Sequence, residues 1–321
     1  MFYPNKHIIN YLYPNDIYIN DIYINDIIYI NYNMSKTLRD KQEIVKNLQK
    51  IILPEQRTKE WHEMRNRMIT ASDFGAILGH NKYESYKKTL RKKCGLEKKF
   101  FGNEYTEWGV KYEPIATSLY EIKNDVTIIE FGCIPHPKYS FLGASPDGIT
   151  PDGMMLEIKV PKCREIKGGD IPEYYYDQVQ GQLEVCDLDE ADFLECKIEE
   201  YSSEKHYIED DKIDFKGVII DYLLDDKKTY EYSPINIKGG DYKKWLCGKK
   251  IVYNNIYINI SYWKLITYSS QRVNREMEWL PRSLPIFDKF WKEVLYYREN
   301  PELITLKKKK KVIKDDRECS N

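Results

Sequence analysis

The sequence predicts an α/β (α+β) chain, and three observations carry that prediction. Stretches with apolar residues at helical spacing are one, and strand-like runs, "VTIIEFGCI", "SFLGAS" and "MMLEIKV" among them, are the second. The 321 residues, 42% hydrophobic and 31% charged, permit one large domain with elaborations or two smaller ones, each able to bury a core.

Residues 11–33 repeat an Ile-Tyr-Ile-Asn-Asp unit of five residues, too short for a solenoid repeat. Residues 1–33 are therefore expected to be a disordered low-complexity leader, an appendage or sequence upstream of a true start at Met34. From residue 35 the spacing of Leu38, Val45, Leu48 and Ile52 predicts a helix capped by Ser35 and ended before Pro54. "TASDFGAILG" predicts a short helix with Ser72 as its cap and Gly79 as its stop. Trp108, Tyr112, Ile115, Leu119 and Ile122 form a helical stripe, with Pro114 expected to start or kink that helix. "IPEYYYDQVQGQLEVCD" reads as a helix whose apolar side is Tyr175, Val179 and Leu183, and "ADFLECKIEEY" as a strand. Residues 215–300 mix strand-like and aromatic helical stretches, "KFWKEVLYYREN" being the clearest helix, and residues 301–321 form a basic tail. One folded domain is expected over 34–300, with its core at about 55–200 and an elaboration at about 201–300.

Composition excludes several classes. No apolar run reaches the roughly 20 residues of a membrane span, and a signal-peptide pattern is absent, so an intracellular protein with no membrane partner is expected. The seven cysteines lack any Cys-x-x-Cys pair and read as free thiols rather than a disulfide framework, zinc site or iron–sulfur site. The net charge of −1 conceals a segregation: residues 35–112 carry 18 Lys+Arg against 10 Asp+Glu, and residues 184–226 carry 4 against 16. Such a chain can offer a basic surface to a polyanion, although ordinary solvated charge explains the counts equally well. Lys307 to Lys311 mark a solvated tail that reads first as a plain disordered terminus, with nucleic-acid binding or a nuclear signal as the alternatives.

The chemistry concentrates in "GASPDGITPDGMMLEIKV", residues 143–160. As a strand, "MLEIKV" alternates, with Leu156, Ile158 and Val160 facing one way and Glu157 and Lys159 the other. The "TPDG" turn folds this strand back on the segment ending at Asp147, so that Asp147 and Glu157 can meet across a hairpin. Two adjacent carboxylates repel, and a hard divalent cation such as Mg2+ resolves the repulsion. The lysine can then orient or deprotonate a water, or stabilise charge developing on a phosphate. A surface hairpin carrying a Glu-Lys pair fits the hairpin alone just as well.

The surroundings decide between these readings. Pro146-Asp147 and Glu157-Ile158-Lys159 match the Pro-Asp...Glu-x-Lys signature of a nuclease superfamily. "EWHEMRNRMITASDFGAILG" (60–79), "EWGVKYEPIATSLYE" (107–121) and "YYYDQVQGQLEV" (174–185) resemble, in order and spacing, the lambda-exonuclease-like or YqaJ-type viral recombinase family over about residues 55–200. "YWKLITYSSQRVNREMEWL" resembles the C-terminal part of versions from large DNA viruses. The resemblance implies a PD-(D/E)xK restriction-endonuclease-like core, a mixed central sheet flanked by helices. It implies Asp147, Glu157 and the Ile158 carbonyl as metal ligands, Glu113 near a second metal, and Lys159 as the catalytic lysine. Gln178 falls where the family positions the nucleophilic water, and Gln182, one turn on, ranks second as a substrate contact. Arg65 falls at the arginine that holds a terminal 5′ phosphate, with Ser72 a nearby phosphate contact. One departure is Asn66-Arg67, which stand where the family has an apolar residue and glycine.

The resulting expectation is a Mg2+-dependent DNA exonuclease, with Mn2+ an alternative ion, that degrades one strand of duplex DNA from a 5′-phosphorylated end. It would use two ions roughly 4 Å apart. A single-strand annealing protein and further copies of the chain are the partners the family suggests, in host cytoplasm, viral factory or nucleus. The rivals are a restriction- or resolvase-type endonuclease, which needs no terminal-phosphate clamp, and a DNA-binding recombination scaffold that has lost catalysis.

Overall fold

The structure, a computed structural model, describes residues 36–97, 102–166, 168–224, 227–252 and 258–304. The expectations for residues 1–33, the Ser35 cap and Lys307 to Lys311 fall outside the described residues. From Leu38 onward the described residues belong to one compact unit.

The helices are α1 (Leu38–Gln49), α2 (Lys59–Asn66), α3 (Ala71–Leu78), α4 (Tyr86–Lys93), α5 (Glu104–Asn124), α6 (Glu173–Cys186), α7 (Glu204–Glu209), α8 (Gly239–Val252) and α9 (Trp279–Glu299). The strands are β1 (Ile69–Thr70), β2 (Ile134–Pro135), β3 (Leu142–Ala144), β4 (Gly148–Ile149), β5 (Met155–Lys159), β6 (Glu190–Glu200), β7 (Lys216–Leu224), β8 (Lys227–Tyr232) and β9 (Ile258–Asn274). The main sheet is mixed, in the order β4-β5-β6-β9-β7-β8, and a small sheet runs β1-β3-β2. Only β5 and β6 are parallel in the main sheet, and they are joined through α6, a βαβ crossover that sets this helix against the sheet.

The sheet is covered on both sides. Leu156 and Ile158 of β5 pack with Ala116 and Tyr120 of α5, while Val179 and Leu183 of α6 join the large core that also holds Phe193, Phe287 and Phe290. The alternation predicted for β5 is therefore present, but its polar face is no surface: Glu157 is only 1% exposed.

Several expectations need correction. Leu38, Ile52 and Ile122 extend apolar stripes past the region of contact and are exposed, Ile52 almost wholly. Helix α3 is capped by Thr70, not Ser72: the Thr70 hydroxyl and amide both bond Asp73 at the third helical position, a capping box that leaves Ser72 exposed in the first turn. Helix α5 starts at Glu104, capped by Asn103, and runs through Pro114 without ending. Of "VTIIEFGCI" only Ile134 becomes strand, and Ile129 bridges Ile149. Among the described residues Cys94, Cys133, Cys186, Cys196 and Cys247 are free thiols.

Candidate active site

A cleft of about 450 Å³ opens beside the end of β5 and is lined by Ser72, Glu113, Ile158, Lys159 and Gln178 together with aromatic and basic residues. Five of the nine residues singled out in the sequence thus share one cavity. The β4–β5 pairing, Gly148 with Leu156 and Ile149 with Met155, brings Asp147 level with Glu157 as the hairpin predicted. The Ile158 amide donates to Asp147 Oδ2 at 2.6 Å and fixes that carboxylate against β5.

Glu157 is the most heavily bonded acid of the group. Gln178 Nε2 donates to its Oε1 at 2.5 Å, Gln182 Nε2 donates to its Oε2 at 2.6 Å, and Lys159 Nζ contacts Oε1. Helix α6 supplies both glutamines one turn apart, the i,i+4 spacing that puts them on one face. Gln182, expected to touch substrate, is fully buried and reaches Glu157 from behind, so its place is that of a support rather than a contact.

The electrostatics follow from three acids around one lysine. Burial, then Glu157 and Glu113, raise the pKa of Asp147 well above the carboxylate range, against smaller relief from Lys159 and the Ile158 amide. Burial likewise raises Glu113, partly countered by Arg57, whose Nη2 donates to Glu113 Oε1 at 2.8 Å. Burial opposes the charge on Lys159, but Glu157 and its neighbours outweigh it, and the ammonium is held above the ordinary lysine range. In the metal-free chain this favours the charged lysine, the form that stabilises negative charge.

A second group lies at the cleft margin. Arg65 lies over the Trp61 ring, 4.4 Å from its centroid, and donates to Ser72 Oγ at 2.8 Å and to Ser145 Oγ at 3.2 Å. Arg67 has an ordinary φ of −87°, so the Asn66-Arg67 departure imposes no conformation that only glycine could take. Beneath it, Lys93 donates to the Arg65 and Met68 carbonyls and pairs with Asp73 at 2.7 Å, bracing α2 against α3. Sequence reasoning missed Ser145, although it stands two residues before Asp147, and missed Gln56 and Arg57, whose partners lie 56 to 90 residues away.

No metal is part of this structure, and the donors can be tested on chemistry alone. Asp147, Glu157 and the Ile158 carbonyl are hard oxygen donors, and mutual repulsion of the acids is what a divalent cation relieves. No group of three His, Cys, Asp or Glu side chains among the described residues forms a ready-made cage. Mg2+ does not require one, since one or two carboxylates with water and substrate phosphate suffice. The donor set fits.

The chain thus has a mixed sheet between helices, with an Asp and a Glu-x-Lys meeting at the hairpin end. The alkaline exonuclease LHK-Exo of Laribacter hongkongensis shares this fold, with a TM-score of 0.50 at 20% identity over 76% of this chain and 96% of that one. Residues 60–189 match the model of the YqaJ-like viral recombinase domain. An uncharacterised protein of Acanthamoeba polyphaga mimivirus is 31% identical over 79% of this chain and 55% of its own length. A protein of African swine fever virus is 30% identical over 40% of this chain and 46% of its own. The chain thus spans about half the length of the curated relatives it matches. No helix among the described residues is long and apolar enough to cross a membrane.

Proposed function

We propose that this chain is a divalent-metal-dependent DNA exonuclease that removes nucleotides from one strand of a duplex, starting at a 5′-phosphorylated end. The observation that carries the reading is the shared cleft: Ser72, bonded to Arg65, lines the same cavity as Lys159 and Gln178. A phosphate-gripping group and a carboxylate–lysine group within one cavity suit an enzyme that measures from an end.

Asp147, Glu157, Glu113 and the Ile158 carbonyl would hold Mg2+ or Mn2+, which when bound activates water and stabilises the leaving oxygen. Gln178 keeps Glu157 oriented and presents its amide to the cleft, where it can align the attacking water. Lys159 would donate to a non-bridging phosphate oxygen as negative charge builds there. Arg65, Ser72 and Ser145 bind the terminal phosphate with a fork of donors and so fix the distance from the end to the scissile bond. The family likeness further suggests a single-strand annealing protein and additional copies of the chain as partners in a viral, intracellular setting.

The test is purified protein with Mg2+ on linear duplexes labelled at either 5′ or 3′ ends, alongside a closed circle. Early release of 5′ label as mononucleotide, with the circle untouched, supports the proposal. Cutting of the circle would replace it with the endonuclease reading, and binding without cutting with the scaffold.

A further inference from the structure

Arg57 takes no part in the chemistry above, yet it is held in an unusual way. Its backbone lies in the left-handed region at φ +68°, which non-glycine residues adopt only under constraint. That turn places two consecutive side chains beside the site, Gln56 on the backbone next to Asp147 and Arg57 on the Glu113 carboxylate. Gln56 Nε2 donates to the Phe131 carbonyl at 2.7 Å and the Pro146 carbonyl at 3.3 Å, steadying the turn that presents Asp147. Arg57 bonds Glu113, which lines the cleft. The guanidinium is 47% exposed and the Glu113 side chain 32%, so the pair can open without unfolding anything.

We propose that Arg57 is a built-in counter-cation for Glu113, a positioning residue that holds this carboxylate in place and competes with a divalent cation for it. The inference rests on the metal reading of the site given above. A carboxylate lining the cleft needs a partner, and the Arg57 guanidinium, 2.8 Å from Glu113 Oε1, supplies one. A divalent cation at Glu113 must either displace Arg57 or share the carboxylate with it. Once released, Arg57 is a free cation beside the cleft at the moment a polyanionic strand enters.

The test is binding of Mn2+ alone to the DNA-free full chain, followed by the electron-spin signal of the free ion, for wild type, Arg57→Asn and Arg57→Lys. Asparagine is chosen because it tolerates the left-handed backbone that alanine would strain. Arg57→Asn is expected to bind Mn2+ more tightly by roughly two- to fivefold, the worth of a partly exposed ion pair. Arg57→Lys, which keeps a cation within reach of Glu113, should stay near wild type. Arg57→Asn with unchanged or weaker Mn2+ binding, while wild type binds, would overturn the competition and leave the metal reading standing. A wild type that binds no Mn2+ would remove both.

Discussion

Asp147 shows what a catalytic position costs the fold. Its pKa is raised by burial first and then by Glu157 and Glu113, so the folded chain binds a proton there more tightly than the unfolded chain does. A raised folded pKa contributes stability at acid pH, below the ordinary carboxylate range, and that contribution is lost as pH climbs through the raised value. At neutral pH and without metal, Asp147 is thus a burden. Asp147→Asn, which can still accept from the Ile158 amide, should melt higher than wild type at neutral pH, with the gap closing in acid, while losing activity by about 10²–10³-fold or more. Equal melting temperatures at neutral pH would show that the acid repulsion is already relieved in the metal-free chain. Arg65 makes the complementary case for binding. A terminal phosphate carries more charge than a diester and can use more donors, so Arg65→Ala should slow digestion of 5′-phosphorylated duplex roughly 10- to 100-fold, the worth of one or two charge-assisted hydrogen bonds. Digestion of 5′-hydroxyl duplex should change little. Equal slowing on both substrates would refute the clamp. The juxtaposition of Asp147 with Glu157 was legible because a hairpin is local, and Arg65 near Ser72 because they are seven residues apart. Ser145 as a third partner was not legible, because its bond to Arg65 spans 80 residues.

At the scale of elements, the site depends on how closely α3 and α6 approach, since α3 carries Ser72 and α6 carries Gln178 and Gln182. Two glycines set that distance. A methyl at Gly75 would meet Tyr174 Cβ at 2.6 Å, and one at Gly181 would meet the Phe74 ring at 2.1 Å. Phe74 cannot retreat, because it stacks on Phe287 at 4.5 Å between centroids and lies 5.7 Å from Trp279. Gly181→Ala should therefore cost about 1–3 kcal/mol in urea unfolding and pull Gln178 and Gln182 off Glu157, lowering activity as well. Unchanged stability would mean the helices separate freely and the spacing is not set by this glycine. Helical periodicity placed α6 well, with Val179 and Leu183 buried as read. It could not locate the cap of α3, where Thr70 and Ser72 are chemically equivalent candidates and the Asp73 reciprocal bond chose between them.

The YqaJ-like match ends at residue 189, just before β6, and the sequence placed the core at about 55–200, yet the whole molecule is not divided there. Strand β6 pairs along its full length with β9, from Glu190 opposite Asn274 to Glu200 opposite Trp263, and β9 in turn holds β7. Helix α9 sends Trp279, Leu280, Phe287, Phe290 and Val294 into the same core as Val179 and Leu183. Such closure was not legible from residue patterns, because a strand's alternation shows which faces are apolar but not which distant strand it will pair with. Its energetic weight is large. Exposing those five side chains would forfeit on the order of 10 kcal/mol, comparable with the entire net stability of a typical domain, about 5–15 kcal/mol. The loss would also leave one edge of β6 with unpaired amides and carbonyls, a template for aggregation. A chain of residues 36–200, which retains every candidate site residue, is therefore expected to be insoluble or to unfold without a cooperative transition, and to show no nuclease activity. If that fragment were soluble, melted cooperatively and cut duplex DNA, then β9 and α9 would be an accessory to a self-sufficient core, and their closure of the sheet would have no part in holding the site together.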